Sequence, residues 1–568
     1  MMETRNDIKT GLALSGGGFR SSLFHVGVLA RLAELDLLRK VDVISSVSGG
    51  SIIAAYYYLK VKALLERAPA EGHEAPGREA YIRMVAEIEI DFLAAVQKNM
   101  LIRTFLDPVK NARMIATGFS NTERLAELLT TYFYKAITQK YGTRAKQDRI
   151  PLKDIPIRPL AANLCPGTRV PSLIINATSL NTGHLWQFTN VSVGEQRTAH
   201  DAGGDPIGFF KKIRMDDDRL TMPQRKVLYN FTLGQAVAAS NCVPGIFEPM
   251  EIRNLYKTGG KHLTVRLVDG GLVDNQGLVS LFAENCTHII CSDASDILKS
   301  ENHPSTQFLN VALRANDILM DRIRGESLNE LFKYGPGRFV MFDMGDHATR
   351  NQIFPADSEK MVCALTRIRT AMDSFTDREA DTLMYYGYQL SRKIMENNVF
   401  ELVEESFPAT WNWRFLEISD RFLNNDERRK DLLHHLAVGS HQMFKVFFLK
   451  KAMPYVILLP FPMIFILLTL YLLLRVSPMV FWSFLLCSFL VLTYTQNQRI
   501  LKFTDNIVIL RRIKQRILKI QVSLRLPEPL SYLLALASWI QLTVFDRLFL
   551  RYGRIRQTSK ESRSQRHQ

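Results

Sequence analysis

Residues 11–32, GLALSGGGFRSSLFHVGVLARL, and residues 42–59, DVISSVSGGSIIAAYYYL, decide how this 568-residue chain folds. In the first, a strand-like run at Thr10–Leu14 meets Gly16, Gly17 and Gly18, then passes into a helix-like run at Ser21–Leu38. In the second, another strand-like run leads to Ser48, and Gly49 and Gly50 open a further helix. Two successive strand–glycine–helix units predict parallel strands whose carboxyl ends lie side by side. One end offers bare backbone N–H groups and the other a serine hydroxyl, and acyl transfer needs both. A serine hydrolase on an α/β fold is the expectation.

Ser46-Val47-Ser48-Gly49-Gly50 reads S-x-S-x-G, one residue away from the G-x-S-x-G nucleophile elbow. The flanking positions of that turn are small because strand and helix backbones pass close together there. Ser46 stands where the first glycine would be and remains small. Ser45, Ser46 and Ser51 are near, but only Ser48 has small residues at −2 and +2 and a helix start behind it. That helix start brings a partial positive charge to a developing oxyanion. A Gly/Ser-rich helix start without chemistry fits the same segment. The triple glycine fails the phosphate-loop pattern for want of a following Gly-Lys-Ser/Thr, and fails G-x-G-x-x-G because Ser21 holds the last place. The preferred reading is an oxyanion hole made by the N–H groups of Gly17 and Gly18, each donor contributing about 3 kcal/mol. Arg20 either braces this loop or meets a lipid phosphate.

A nucleophilic serine needs a base. In VRLVDGGLVDNQGL (265–278) an apolar run ends at Asp269, and Gly270 and Gly271 let the backbone turn sharply. Asp274 is the weaker rival, better suited to capping or bracing the turn. His25 falls inside the first helix and His184 in a strand-like segment, neither in comparable company. A Ser–Asp dyad is therefore favoured over a Ser–His–Asp triad.

Taken in order, GLALSGGGFR (11–20), VSGGS (47–51), INATSLNTGHLWQF (175–188), AVAASNCVPGIFEP (236–249) and LVDGGLVDN (267–275) resemble the patatin-like phospholipases, over roughly residues 8 to 290. The resemblance implies a three-layer α/β/α core and hydrolysis of acyl esters in lipids. It also implies Ser48 as nucleophile, Asp269 as its base, and Gly16, Gly17 and Gly18 with Arg20 as the oxyanion loop. No cofactor and no metal are called for.

The chain is long for one compact domain. We divide it into a catalytic α/β domain at 1–300, with insertions at about 68–160 and 199–224, and a mainly helical extension at 301–445. A transmembrane hairpin is expected at 446–498 and a basic tail at 499–568. The stretch between the loops at 68–79 and 142–159 reads as an amphipathic helical cover for the site. Six cysteines, at 165, 242, 286, 291, 363 and 487, show no paired spacing, which argues against structural zinc and a disulfide scaffold. Asp216-Asp217-Asp218 lies among arginines and lysines and reads as a solvated loop rather than a metal site.

Residues 455–474, YVILLPFPMIFILLTLYLLL, are long and apolar enough to span a bilayer, and 479–494, MVFWSFLLCSFLVLTY, is shorter. Lys445, Lys450 and Lys451 precede the pair, and Arg499, Lys502, Arg511 and Arg512 follow it, so both flanks are expected in the cytoplasm. The N-terminus lacks a signal-peptide pattern, which keeps the catalytic part on that same face. From Arg499 onward 15 Lys/Arg face four acidic residues out of a formal net charge of +16. Such charge suits nucleic acid, but no nucleic-acid-binding fold signature accompanies it. Anionic lipid headgroups are the expected partner, with 530–545 lying in the interface rather than crossing, since a third span would carry the arginine-rich end outside. A solvated tail is the simpler alternative. The whole reads as a membrane-anchored lipid acyl hydrolase of phospholipase A or lysophospholipase type. An acyltransferase on the same site and a catalytically silent lipid-binding scaffold are its rivals.

Overall fold

The computed structural model describes residues 8–449, apart from stretches of which 141–148, 156–163, 197–209 and 347–358 are the longest, and residues 527–555. Both apolar runs of the expected hairpin, and the tail on either side of 527–555, lie outside the described residues.

Ten described strands form one mixed sheet. They are β1 (Thr10–Leu14), β2 (Val41–Val47), β3 (Ser172–Ser179), β4 (Leu185–Thr189) and β5 (Ser192–Glu195). Then follow β6 (Ile213–Arg214), β7 (Met250–Thr258), β8 (Lys261–Asp269), β9 (His288–Asp293) and β10 (Phe339–Asp343). The order is β10-β9-β1-β2-β3-β4-β5-β6, with the β7–β8 hairpin attached to β3. From β10 to β3 every pairing is parallel, and from β3 to β6 every pairing is antiparallel. All five residues of β1 are buried, as a strand covered on both faces requires.

Side chains of the parallel strands alternate between two cores. Leu12, Leu14, Ile44, Leu173, Ile175 and Ile290 join a large cluster with α1 (Gly18–Glu34), α2 (Gly49–Ala70) and α3 (Arg78–Val96). Ala13, Val43, Ile174, Ile289 and Cys291 pack on the other face. They meet Leu278 and Leu281, between β8 and β9, and Leu331 from the long helix Phe308–Phe332. Helices therefore cover both faces, the three-layer α/β/α arrangement expected from the sequence.

The core runs past the boundary expected at residue 300. β10 pairs with β9, and the helix Asp377–Asn397 lies along α1 so closely that a Cβ on Gly27 would sit 1.9 Å from Met384 O. Helix α3 likewise packs into the α1 layer, with Phe92 fully buried, so this part of the expected cover is core. The five described cysteines are free, and Arg214, Arg219 and Arg225 pair with Asp216, Asp217 and Asp218.

One piece of register positions everything that follows. β3 pairs with β2 as far as Val47 opposite Asn176, and with β8 from Asp269 opposite Ala177. Since β4 holds the other edge of β3 over the same residues, β2 and β8 meet end to end along one edge. The residue after β2 and the last residue of β8 must face each other.

Candidate active site

Those two residues are Ser48 and Asp269. Ser48 leaves β2 with φ of +48°, a left-handed conformation rare outside glycine and associated with a sharp strand-to-helix turn. The turn is crowded: a Cβ on Gly49 would lie 2.0 Å from Gly18 O, and one on Gly50 would lie 2.3 Å from Leu14 O. Ser46, the departure from glycine at −2, is buried, and its hydroxyl donates to Ile174 O at 3.0 Å. The extra hydroxyl is thus absorbed by β3 without disturbing the turn.

The hydroxyl of Ser48 donates to Asp269 Oδ2 at 2.7 Å. The other carboxylate oxygen accepts from Gly271 N at 2.8 Å, which fixes the rotamer, and the Asp269 N–H donates to Cys242 O at 2.9 Å. Burial pushes the carboxyl up to about 6, opposed by the hydrogen bonds from Gly271 and Ser48. Asp269 is thereby a stronger base than an exposed aspartate and still mainly ionised at pH 7.

Asp274, also pushed up to about 6 by burial, accepts from Gly277 N and Val279 N and caps the short helix there. His25 contacts Ser292 Oγ and Ser15 O, and burial lowers it to about 4. His184 contacts Glu195 at 3.2 Å. None of the three is within hydrogen-bond reach of Ser48, whose hydroxyl contacts Asp269 and Asn241.

Gly16 lies against the serine, its missing Cβ 3.2 Å from Ser48 Cβ. Gly17, with φ of +135°, is the N-cap of α1, and Gly18 begins the helix. N–H groups at a helix start have no acceptor within the helix and are available to an anion. The N-terminus of α2 arrives at the same point through Gly49, so two helix starts converge beside the hydroxyl.

Arg20 turns onto backbone. It is buried, and its guanidinium donates to Thr366 O, Ile368 O and Ala294 O at 3.0 to 3.2 Å. These bonds are the geometry of a brace. The segment it grips leans on the glycine loop, since a Cβ on Gly18 would fall 1.4 Å from Thr370 O.

Three site residues carry no assignment in the sequence reading. Ser240 Oγ accepts from Ser48 N at 2.8 Å. Asn241 Nδ2 lies within hydrogen-bond distance of Ser48 O, Ser51 Oγ and Val237 O. Asn275 accepts from Gly16 N through its backbone carbonyl at 3.0 Å. The Ser-Asn pair ending the Ala-rich helix in AVAASNCVPG was the available signal.

Residues 12–281 match the model of the patatin-like phospholipase family. A stretch of 56 residues, 10% of this chain, is 52% identical to triacylglycerol lipase 4 of Saccharomyces cerevisiae (strain ATCC 204508 / S288c), covering 6% of that protein. Human GIVD cytosolic phospholipase A2 is similar with a TM-score of 0.37 at 10% identity, over 69% of this chain and 61% of that one. VipD from Legionella pneumophila is similar with a TM-score of 0.30 at 12% identity, over 76% of this chain and 74% of that one.

Proposed function

We propose that this chain is a membrane-anchored serine hydrolase cleaving carboxylic esters of membrane lipids, with Ser48 as nucleophile and Asp269 as general base. The observation that carries the reading is the 2.7 Å bond from Ser48 Oγ to a buried carboxylate, made at a left-handed elbow beside two helix starts. The family match over 12–281 supports it.

Ser48 Oγ attacks the ester carbonyl carbon as its proton passes to Asp269. The oxyanion is held by the N–H groups of Gly17 and Gly18, with Gly16 giving the carbonyl room to approach. On collapse of the tetrahedral adduct, the C–O bond breaks and Asp269 returns the proton to the departing alcohol. Water then enters, gives a proton to Asp269 and attacks the acyl-serine, and the fatty acid leaves as the serine recovers its proton. Arg20 acts as a positioning residue, holding segment 366–370 against the glycine loop.

The apolar runs 455–474 and 479–494 supply the anchor, and the basic residues on both flanks favour a cytoplasmic catalytic domain and contact with anionic headgroups. The test is to incubate the purified full-length protein with mixed phospholipids and glycerides and identify products by mass spectrometry. A fluorophosphonate probe should label the wild type and miss Ser48→Ala. No released fatty acid from any lipid, or equal labelling of both proteins, overturns the assignment.

A further inference from the structure

The first half of the helix from Ser531 to Tyr552 turns large apolar side chains outward, the wrong sense for a surface facing water. Ser531, Ser538, Gln541 and Asp546 are buried against the protein, whereas Tyr532, Leu533, Leu536 and Trp539 point away, each more than half exposed. Hydrogen bonds tie this inward side to the body. Asn111 Nδ2 donates to Ser531 O at 3.1 Å, Asn99 Nδ2 donates to Asp546, and Gln541 Nε2 donates to Asp546 Oδ1 at 2.9 Å. Farther along, Phe545 meets Phe444 and Phe447 edge-on, and Phe549 stacks on His435. The helix has the length and apolar character of a membrane span, yet its polar side is fixed to the catalytic body. Its outward side is what an apolar environment would select.

The chain around this helix indicates what that environment is. Residues 445–449 lie against it, with Lys445 Nζ 4.4 Å from the Phe549 ring, and Phe448 is half exposed beside them. The segment holding both apolar runs leaves the described body at Leu449, which packs on this helix, and returns at Pro527, where the helix begins. Arg547, Arg551 and Arg554 are exposed at the far end of the helix, suited to anionic headgroups.

We propose that Tyr532, Leu533, Leu536 and Trp539, with Phe448, form a docking surface whose occupant is the lipid leaflet carrying the chain's own anchor. The inference rests on the membrane-anchored reading above and deepens it: the helix is a fixed part of the catalytic body that sets its orientation on the bilayer. Two lines of contact run from this face to the site. Lys445 bonds Asp373 at 2.7 Å, Asp373 bonds Arg369, and segment 366–370 then rests on Arg20 and Gly18. On the other side the helix packs on Pro108–Ala116, and Asn121, just beyond, bonds Ile246 O in the loop that follows Asn241. That loop exposes Val243 and Ile246 beside the dyad. Trp and Tyr at such a face suit the interfacial layer, where an apolar ring and a polar edge are both accommodated.

The test uses full-length protein reconstituted in phosphatidylcholine–phosphatidylserine vesicles, with Cys363 and Cys487 replaced by serine and an environment-sensitive fluorophore on Leu536→Cys. Its emission should shift to the blue and be quenched by lipids spin-labelled high on the acyl chain. The same label on Val399→Cys, near the amino end of β9, should be quenched by aqueous iodide instead. A label at Leu536 that stays open to iodide overturns the proposal. So does quenching that appears only with a spin-labelled second copy, which would make the face a contact between chains. In parallel, the triple variant Leu533→Ser, Leu536→Ser, Trp539→Ser should keep its rate on a soluble short-chain ester. It should lose about tenfold or more on bilayer phospholipid, a modest share of what burying three large apolar side chains supplies. An equal rate on both substrates counts against the docking surface. Wild-type protein that hydrolyses neither substrate overturns the hydrolase reading, and extraction by carbonate overturns the anchor, while the fluorophore still decides the docking.

Discussion

Ser48 Oγ lies 2.7 Å from Asp269 Oδ2 although 221 residues separate them, and backbone pairing brings them together. β3 carries β2 along one edge to Asn176 and β8 from Ala177, so the two strands end against each other. Geometry set by a sheet is stiffer than geometry set by a loop, which suits the two-residue mechanism proposed above. The helix Leu233–Ser240 completes the arrangement by presenting Ser240 and Asn241 to the backbone of the elbow.

The carboxyl of Asp269 gives a pH signature. With its pKa raised to about 6, kcat/KM on a soluble ester should be flat above that pH and fall tenfold per unit below it. Stability runs the other way. A raised acid pKa means that the folded state favours the protonated form, so this contribution is full below about 3.8 and lost as pH rises through about 6. Asp269→Asn should therefore be inactive, yet melt above wild type at pH 8, with the gap narrowing toward pH 4. The ceiling on that gap is about 3 kcal/mol. Thermal denaturation at both pH values, beside an activity profile, checks the pair.

The positive φ of Ser48 predicts a difference between two inactive variants. Ser48→Ala retains a Cβ in the left-handed region, whereas Ser48→Gly relieves it, a gain of about 1 kcal/mol. Urea denaturation should rank Ser48→Gly above Ser48→Ala. The reverse order would mean that the elbow is not strained.

Within the glycine loop the three positions are not equivalent. A Cβ on Gly18 would collide with Thr370 O, part of the segment gripped by Arg20, so Gly18→Ala should lower the melting temperature clearly. The nearest neighbours of a Cβ on Gly17 are at 3.0 Å or more, but its φ of +135° is one that other residues avoid. Gly17→Val should fold and acylate about a hundredfold more slowly, the loss expected for a displaced oxyanion donor. Stopped-flow acylation with a chromogenic ester separates the two. A folded Gly17→Val with normal acylation would make the loop purely structural.

What was legible in the sequence was local. The glycine loop, the elbow at Ser48 and the turn at Asp269 each declare themselves in a few residues, because each needs small side chains where backbones crowd. Ser240 and Asn241 do not, since their partners lie about 190 residues away and depend on how one helix sits on another. The described partners of Arg20 include three backbone carbonyls, which leave no trace in side-chain pattern, so bracing and ligand contact look alike in sequence. The C-terminal helix was read from its basic surroundings. Only its packing reveals that Ser531 and Ser538 turn inward while Tyr532, Leu533, Leu536 and Trp539 turn outward.

That packing also decides what a truncation experiment should do. Cutting after residue 449 would remove the apolar runs together with Asp546, Phe545 and Phe549, stripping contacts from Asn99, Phe444, Phe447 and His435. Such a protein should melt well below wild type. Replacing only residues 450–526 by a flexible linker long enough to follow the roughly 30 Å of helix beyond Pro527 should preserve the fold. This form should keep wild-type melting and full activity on soluble short-chain esters. Its membrane association should become peripheral. Headgroup attraction is worth about 1 kcal/mol per Lys/Arg and is screened by salt, whereas a spanning segment is effectively irreversible. Full-length protein should accordingly resist high salt and carbonate and need detergent, while the linker form, held only by its apolar face and headgroup attraction, should be released by carbonate. Carbonate-resistant retention of the linker form would show that the described body, and not 455–494, carries insertion.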